Sequence, residues 1–200
     1  VPPEPAPPGL LALLRESITT PQKLAARLMR WGLPLGTVVE LVVLLCVLDA
    51  LLVGMVGGGR FVLPVSEDEM LSLGPLAHAV LLFVSLTLSA GAIQVAGQML
   101  GGRGRLTEAL LLMGWLEVVG LAVQVVQALI LLLLPPLAGL AALAGLGIML
   151  WCLVHFVREL HGFHSYGRTI ATLLLALVAL AIGLTLLLGP FIAPLEAAHV

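Results

Sequence analysis

The stretch Gly97–Gly120, GQMLGGRGRLTEALLLMGWLEVVG, decides how this chain folds. It joins two very apolar runs through Gly101-Gly102-Arg103-Gly104-Arg105, a turn whose charges cannot sit in hydrocarbon and so fix it at a membrane surface. The two runs then fold back on each other as a helical hairpin. Gln94 and Gln98 before the turn, and Glu117 after it, place polar groups inside runs that otherwise satisfy lipid, and such groups need partners. At a rise of about 1.5 Å per residue, Glu117 lies about 15 Å from the turn, near the middle of a bilayer. Folding the hairpin about Arg103 brings it level with Ala90, one turn from Gln94.

Composition agrees. Of 200 residues, 60% are hydrophobic and 10% charged, with a mean hydropathy of +1.18, against about one quarter charged in soluble domains. The sequence predicts an all-α integral membrane bundle of five transmembrane helices, preceded by an amphipathic interfacial helix. The net charge of −2 and the scattered basic residues exclude a nucleic-acid patch. Cys46 and Cys152 fall in apolar runs, where a reduced buried thiol is the ordinary state.

Val1–Thr19 opens on a Pro-rich run and is expected to be a disordered tail. No basic segment precedes Leu10–Leu14, so a cleaved leader is not expected. From Thr20-Pro21, a cap and first-turn pair, Leu24, Leu28 and Trp31 recur at helical spacing among Lys23, Arg27 and Arg30. That spacing predicts a helix lying on the membrane surface. Five spans follow over about 33–56, 76–100, 106–134, 137–157 and 170–189, with a short tail over 191–200. Gly57-Gly58-Gly59 ends the first, and Ser66 with Glu69 has capping-box spacing for a short helix before the second. Pro135-Pro136 closes the third, and Pro190 and Pro194 end the fifth.

With five spans, Arg15, Lys23, Arg27, Arg30, Arg103, Arg105, Arg158 and Arg168 share one side and Arg60 stands alone on the other. That asymmetry predicts a cell inner membrane protein with a cytoplasmic N-terminus and an outward C-terminus. Small residues recur along the second, third, fourth and fifth spans, which favours close helix packing. Gln94, Gln98, Glu117 and Gln124 form the expected intramembrane polar seam. Lys23, Arg27, Arg30, Arg103, Arg105, Arg158 and Arg168 form the expected face toward lipid or a partner.

Other polar residues carry less. Glu40 and Asp49, nine residues apart, fall on opposite faces of the first span and cannot serve one site from that helix alone. His155, His161 and His164 with Glu159 lack a clustered ligand pattern, so interfacial packing is expected in place of a metal site. His78, alone near one end of the second span, is expected to be structural. The glycine turns lack the GK[ST] continuation of a phosphate loop, and Glu67-Asp68-Glu69 suits a solvated helix start. No nucleophile and base pair argues for catalysis, and no cofactor is expected.

GGRGRLTEALLLMGWLEVV, then LPPLAGLAALAGL, then LWCLVHFVRELHGFHSYGRTI together resemble a bacterial member of the Yip1 family of five-span membrane proteins. The resemblance rests on Gly102, Leu106-Thr107-Glu108-Ala109-Leu110, Trp115 and Glu159-Leu160-His161-Gly162-Phe163 in that order. It implies a cytoplasmic N-terminus, an outward C-terminus and a non-enzymatic role in membrane organisation. Eukaryotic relatives act in vesicle traffic and bind Rab GTPases, but their Asp-Leu-Tyr-Gly-Pro type of motif is absent here, so Rab binding is not carried over. The leading expectation is a scaffold associating with itself, other membrane proteins and the lipid bilayer. The alternative is a small transporter or channel for a cation or small solute, using Glu117 and the neighbouring Gln residues.

Overall fold

A computed structural model describes residues 9–56, 61–64 and 70–197. Seven helices and one short hairpin follow in order: α1 Leu10–Thr19, α2 Pro21–Met29, α3 Leu35–Val56, β1 Phe61–Pro64, β2 Met70–Leu73, α4 Pro75–Met99, α5 Leu106–Leu133, α6 Ala138–His161 and α7 Tyr166–Ala197. Five of the helices, α3 to α7, are long and apolar enough to cross a membrane. Their polar backbone is paired within each helix, the condition for lying in hydrocarbon. The predicted all-α bundle is therefore present.

Helix α5 is the axis of the bundle, packing against α3, α4, α6 and α2, while α7 attaches mainly through α4. The connections make one end of the bundle basic: the start of α3, the α4–α5 turn and the α6–α7 turn all lie there. The β1–β2 hairpin marks the opposite end. It is antiparallel, with Phe61 opposite Leu73 and Pro64 opposite Met70. Its strands are four residues each and flank an acidic run, so neither length nor alternation marked them in the sequence. The expected cap at Ser66 and Glu69, the glycine run Gly57-Gly58-Gly59 and Arg60 lie outside the described residues.

Three expectations change at the N-terminus. Leu10–Thr19, expected as tail, is helix α1. Thr20 makes no side-chain cap to α2; its extended φ of −144° reflects the clash that Pro21 imposes on the residue before it, and this corner separates α1 from α2. Helix α2 is amphipathic as predicted, but its apolar side is covered by α5 and α6, with Leu24, Ala25 and Leu28 at 0% exposure. Protein, not lipid, takes the stripe. At the other terminus the helix does not stop at Pro190 but runs to Ala197. In an apolar setting a proline-bearing helix loses single hydrogen bonds, whereas an ended one leaves a whole turn unpaired.

The α1–α2 corner is wedged into the bundle. Trp115 Nε1 donates to Ser17 Oγ at 2.9 Å, Trp151 Nε1 to the Ile18 carbonyl at 3.1 Å, and the Cys152 thiol to the Ser17 carbonyl at 3.3 Å. Trp115 lies about 14 Å along α5 from its start, and Trp151 about 15 Å from the end of α6. An Arg27–Glu16 ion pair at 2.9 Å ties α2 back to α1.

Candidate functional site

At the basic end, two helix termini interlock. Helix α4 closes with Gly101 at φ +85°, the Gly102 N–H reaching the Gly97 carbonyl at 2.8 Å and the Gly101 N–H the Gln98 carbonyl at 3.0 Å. Helix α6 closes in the same way around Gly162 at φ +65°, with the Phe163 N–H on the Arg158 carbonyl at 3.0 Å. Both are left-handed glycine caps with the crossed bonds that satisfy the last carbonyls. His161 joins them. Its ring fills a socket walled by Gly97, Gly102 and Gly104, where a Cβ on any of the three would overlap the imidazole.

The hydrogen bonds fix the ring's tautomer. Nδ1 accepts the Gly104 N–H at 3.3 Å, so Nε2 carries the proton that it donates to the Ile93 carbonyl at 3.2 Å. Phe163 stacks on the ring at 5.3 Å. Arg158 braces the same turn, donating to the Phe163 and His164 carbonyls at 3.1 Å each and lying 4.2 Å over the Tyr166 ring. His155 faces elsewhere: Nδ1 donates to the Trp151 carbonyl at 2.7 Å and Nε2 receives the Tyr166 hydroxyl at 3.4 Å. With His164 exposed, the three histidines share no point. Among the described residues no group of three His, Cys, Asp or Glu side chains is placed to hold a metal ion.

Toward the hairpin end, the polar seam takes a form that the sequence did not reveal. Its centre is Asp49 on α3, only 3% exposed. One carboxylate oxygen receives Nε2 of His78 from α4 at 2.8 Å, and the other receives Nε2 of Gln124 from α5 at 2.8 Å. Three helices thus meet on one carboxylate. Glu117 lies within electrostatic range of Asp49 and of Cys46, one turn before Asp49 on α3. Phe61 of β1 closes the arrangement from the hairpin side, its ring 4.3 Å from that of His78.

The predicted seam residues therefore part company. Gln124 joins Asp49. Gln98 turns to the Gly104 carbonyl at 3.1 Å and serves the glycine turn. Helices α4 and α5 do pack together, but among the described residues no hydrogen bond joins Gln94 to Glu117. The small side of α5 is shared: Gly114 meets Val42 of α3, whereas Gly120 meets Met149 of α6. Glu40 is exposed and Asp49 buried, as their nine-residue spacing requires.

Beside Gln124 lies a pocket of about 350 Å³, walled by Leu52, Val53, Gln124, Gln127, Leu131 and Ala142 among others. Gln127 spends its amide on the Ala141 carbonyl at 3.1 Å, anchoring the start of α6. On the basic face, Arg27 and Arg158 are committed to protein partners. Lys23, Arg30, Arg103, Arg105 and Arg168 are exposed and make no ion pair among the described residues.

These features define a multi-pass helical membrane protein whose internal polar groups chiefly join helices. The Yip1 domain model matches residues 15–188. The chain therefore belongs to the Yip1 family. Comparison with curated proteins and with solved structures gives no significant match.

Proposed function

We propose that the protein is a non-catalytic organiser of the membrane that holds it, acting as a scaffold through helix and lipid contacts. The observation that carries this reading is the division of its polar groups. Inside the bundle, Asp49, His78, Gln124 and Gln127 are bonded to one another or to backbone. Outside, the spans present Leu, Val and Ile, and four exposed cations, Arg30, Arg103, Arg105 and Arg168, gather at one end. Anionic headgroups attract such residues by about 1 kcal/mol for each Lys or Arg near the surface. In this reading the basic end faces the cytoplasm, the membrane is the cell's inner membrane, and homo-oligomers or other membrane proteins are the partners.

The test is assembly. Gln94→Leu with Glu117→Leu is expected to leave the monomer folded and to abolish a defined oligomer or complex, read by cross-linking in native-like vesicles. Intact assembly would reject the role of these polar groups. A second reading, transport of a cation or small solute, draws on the pocket beside Gln124 and on Glu117 near Asp49. Saturable or ion-selective flux in vesicles that disappears in Glu117→Gln would replace the scaffold reading with that one.

A further inference from the structure

We infer that Asp49 and His78 form a proton-binding site whose occupancy controls the docking of the β1–β2 hairpin through Phe61. The argument begins with an orphan. Both oxygens of Asp49 are engaged and Nε2 of His78 faces one of them, but Nδ1 of His78 is buried with no hydrogen-bond partner among the described residues. The His78 residue is 9% exposed. A carboxylate that holds one imidazole nitrogen leaves the other as a defined lone pair, the arrangement that orients histidine ligands and bases. Among the described residues that lone pair is offered to nothing.

Charge balance supplies the ligand. With a neutral ring, the Asp49–His78 pair holds one bare carboxylate, hydrogen-bonded by two neutral donors among apolar helices, and a buried charge without a counter-ion is costly. One added proton makes the pair neutral overall, as imidazolium and carboxylate. It also sets a cation against the Phe61 ring at 4.3 Å, within the roughly 6 Å reach of a cation–π contact. The protonated ring thus holds Phe61 more strongly than the neutral ring does, so the hairpin docks more tightly when the proton is bound.

The surrounding groups are few among the described residues. Helix α3 adds the Cys46 thiol, and α5 adds the Gln124 amide and Glu117, the latter in electrostatic range of Asp49. Helix α7 packs on α4, but its described side chains titrate only at Tyr166 and Arg168, at the far end. Arg60, Glu67, Asp68 and Glu69 lie outside the described residues. The site would operate in the same way in a scaffold or in a transporter.

Hydrogen exchange of the full chain in phospholipid nanodiscs tests the coupling. After correction for intrinsic rates, amides of Phe61–Leu63 and Met70–Leu73 are expected to be about fivefold better protected near pH 5 than near pH 8, the size of a partly desolvated cation–π contact. The difference is expected to vanish in His78→Gln, in Asp49→Asn and in Phe61→Leu, the last of which keeps the apolar cover. Protection independent of pH in the wild type, or a pH dependence that survives His78→Gln, would overturn the proposal. A second readout needs no variant. ¹⁵N-histidine spectra of the wild type are expected to show His78 protonated at Nε2 alone at high pH and at both nitrogens at low pH; a ring in one protonation state throughout would reject the site.

Discussion

The two ends of the bundle solve the same problem with different materials. At the basic end, His161 is held by backbone: a glycine N–H, a helix carbonyl, and walls that are glycine on three sides. Toward the hairpin end, Asp49, His78 and Gln124 are held by one another's side chains. Backbone cannot rotate away, so the first junction has a single geometry and little tolerance for change. Side chains have rotamers and protons to exchange, so the second can take more than one state. Fixed architecture belongs with the socket and responsiveness with the carboxylate.

The sharpest way to break this contrast is Gly97→Val. Its added carbons enter the His161 ring, and overpacking where the walls are backbone is expected to cost about 3 kcal/mol. Denaturant unfolding in micelles measures it, and adding His161→Ala is expected to restore part of the loss. Equal loss in the single and double variants would mean that the socket is not the cause. Asp49→Ala leaves the donors of His78 and Gln124 unpaired and is expected to cost about 2 kcal/mol, because those side chains can partly re-aim. A cost above that of Gly97→Val would reverse the ranking of the two ends.

Smaller effects sharpen it further. Trp115→Phe removes the indole donor to Ser17 and the second ring that packs beside it, and is expected to cost about 1.5 kcal/mol. Faster hydrogen exchange confined to Leu10–Thr19 would show the loss to be local; a change in the hairpin would contradict that. Smallest in stability is Arg103→Gln with Arg105→Gln, both exposed. The melting temperature is expected to hold, while preference for anionic over neutral lipid in native mass spectra declines. An unchanged preference would remove these residues from the lipid face.

The spans were legible because lipid demands long apolar runs, and Arg103 and Arg105 punctuate them without ambiguity. The glycine turn and the Glu159–Phe163 segment were also each visible as motifs. What no periodicity could show was that one is the socket for the other, since Gly104 and His161 stand 57 residues apart. Asp49 and His78 look like isolated polar residues in the sequence for the same reason: each is alone on its own helix. Gln94 shows the limit of register, which puts it near Glu117 but does not choose its partner. Helix α2 was found by its spacing, yet an amphipathic stripe looks the same whether lipid or α5 and α6 will cover it.

The wedge of α1 against α5 and α6 has an optical consequence. The chain has three tryptophans, and the indoles of two, Trp115 and Trp151, donate to Ser17 and Ile18. Its intrinsic emission is thus weighted toward the seating of the first helix. Withdrawal of α1 would shift that spectrum while the other spans stayed in place, giving the protein a built-in gauge of its own N-terminus.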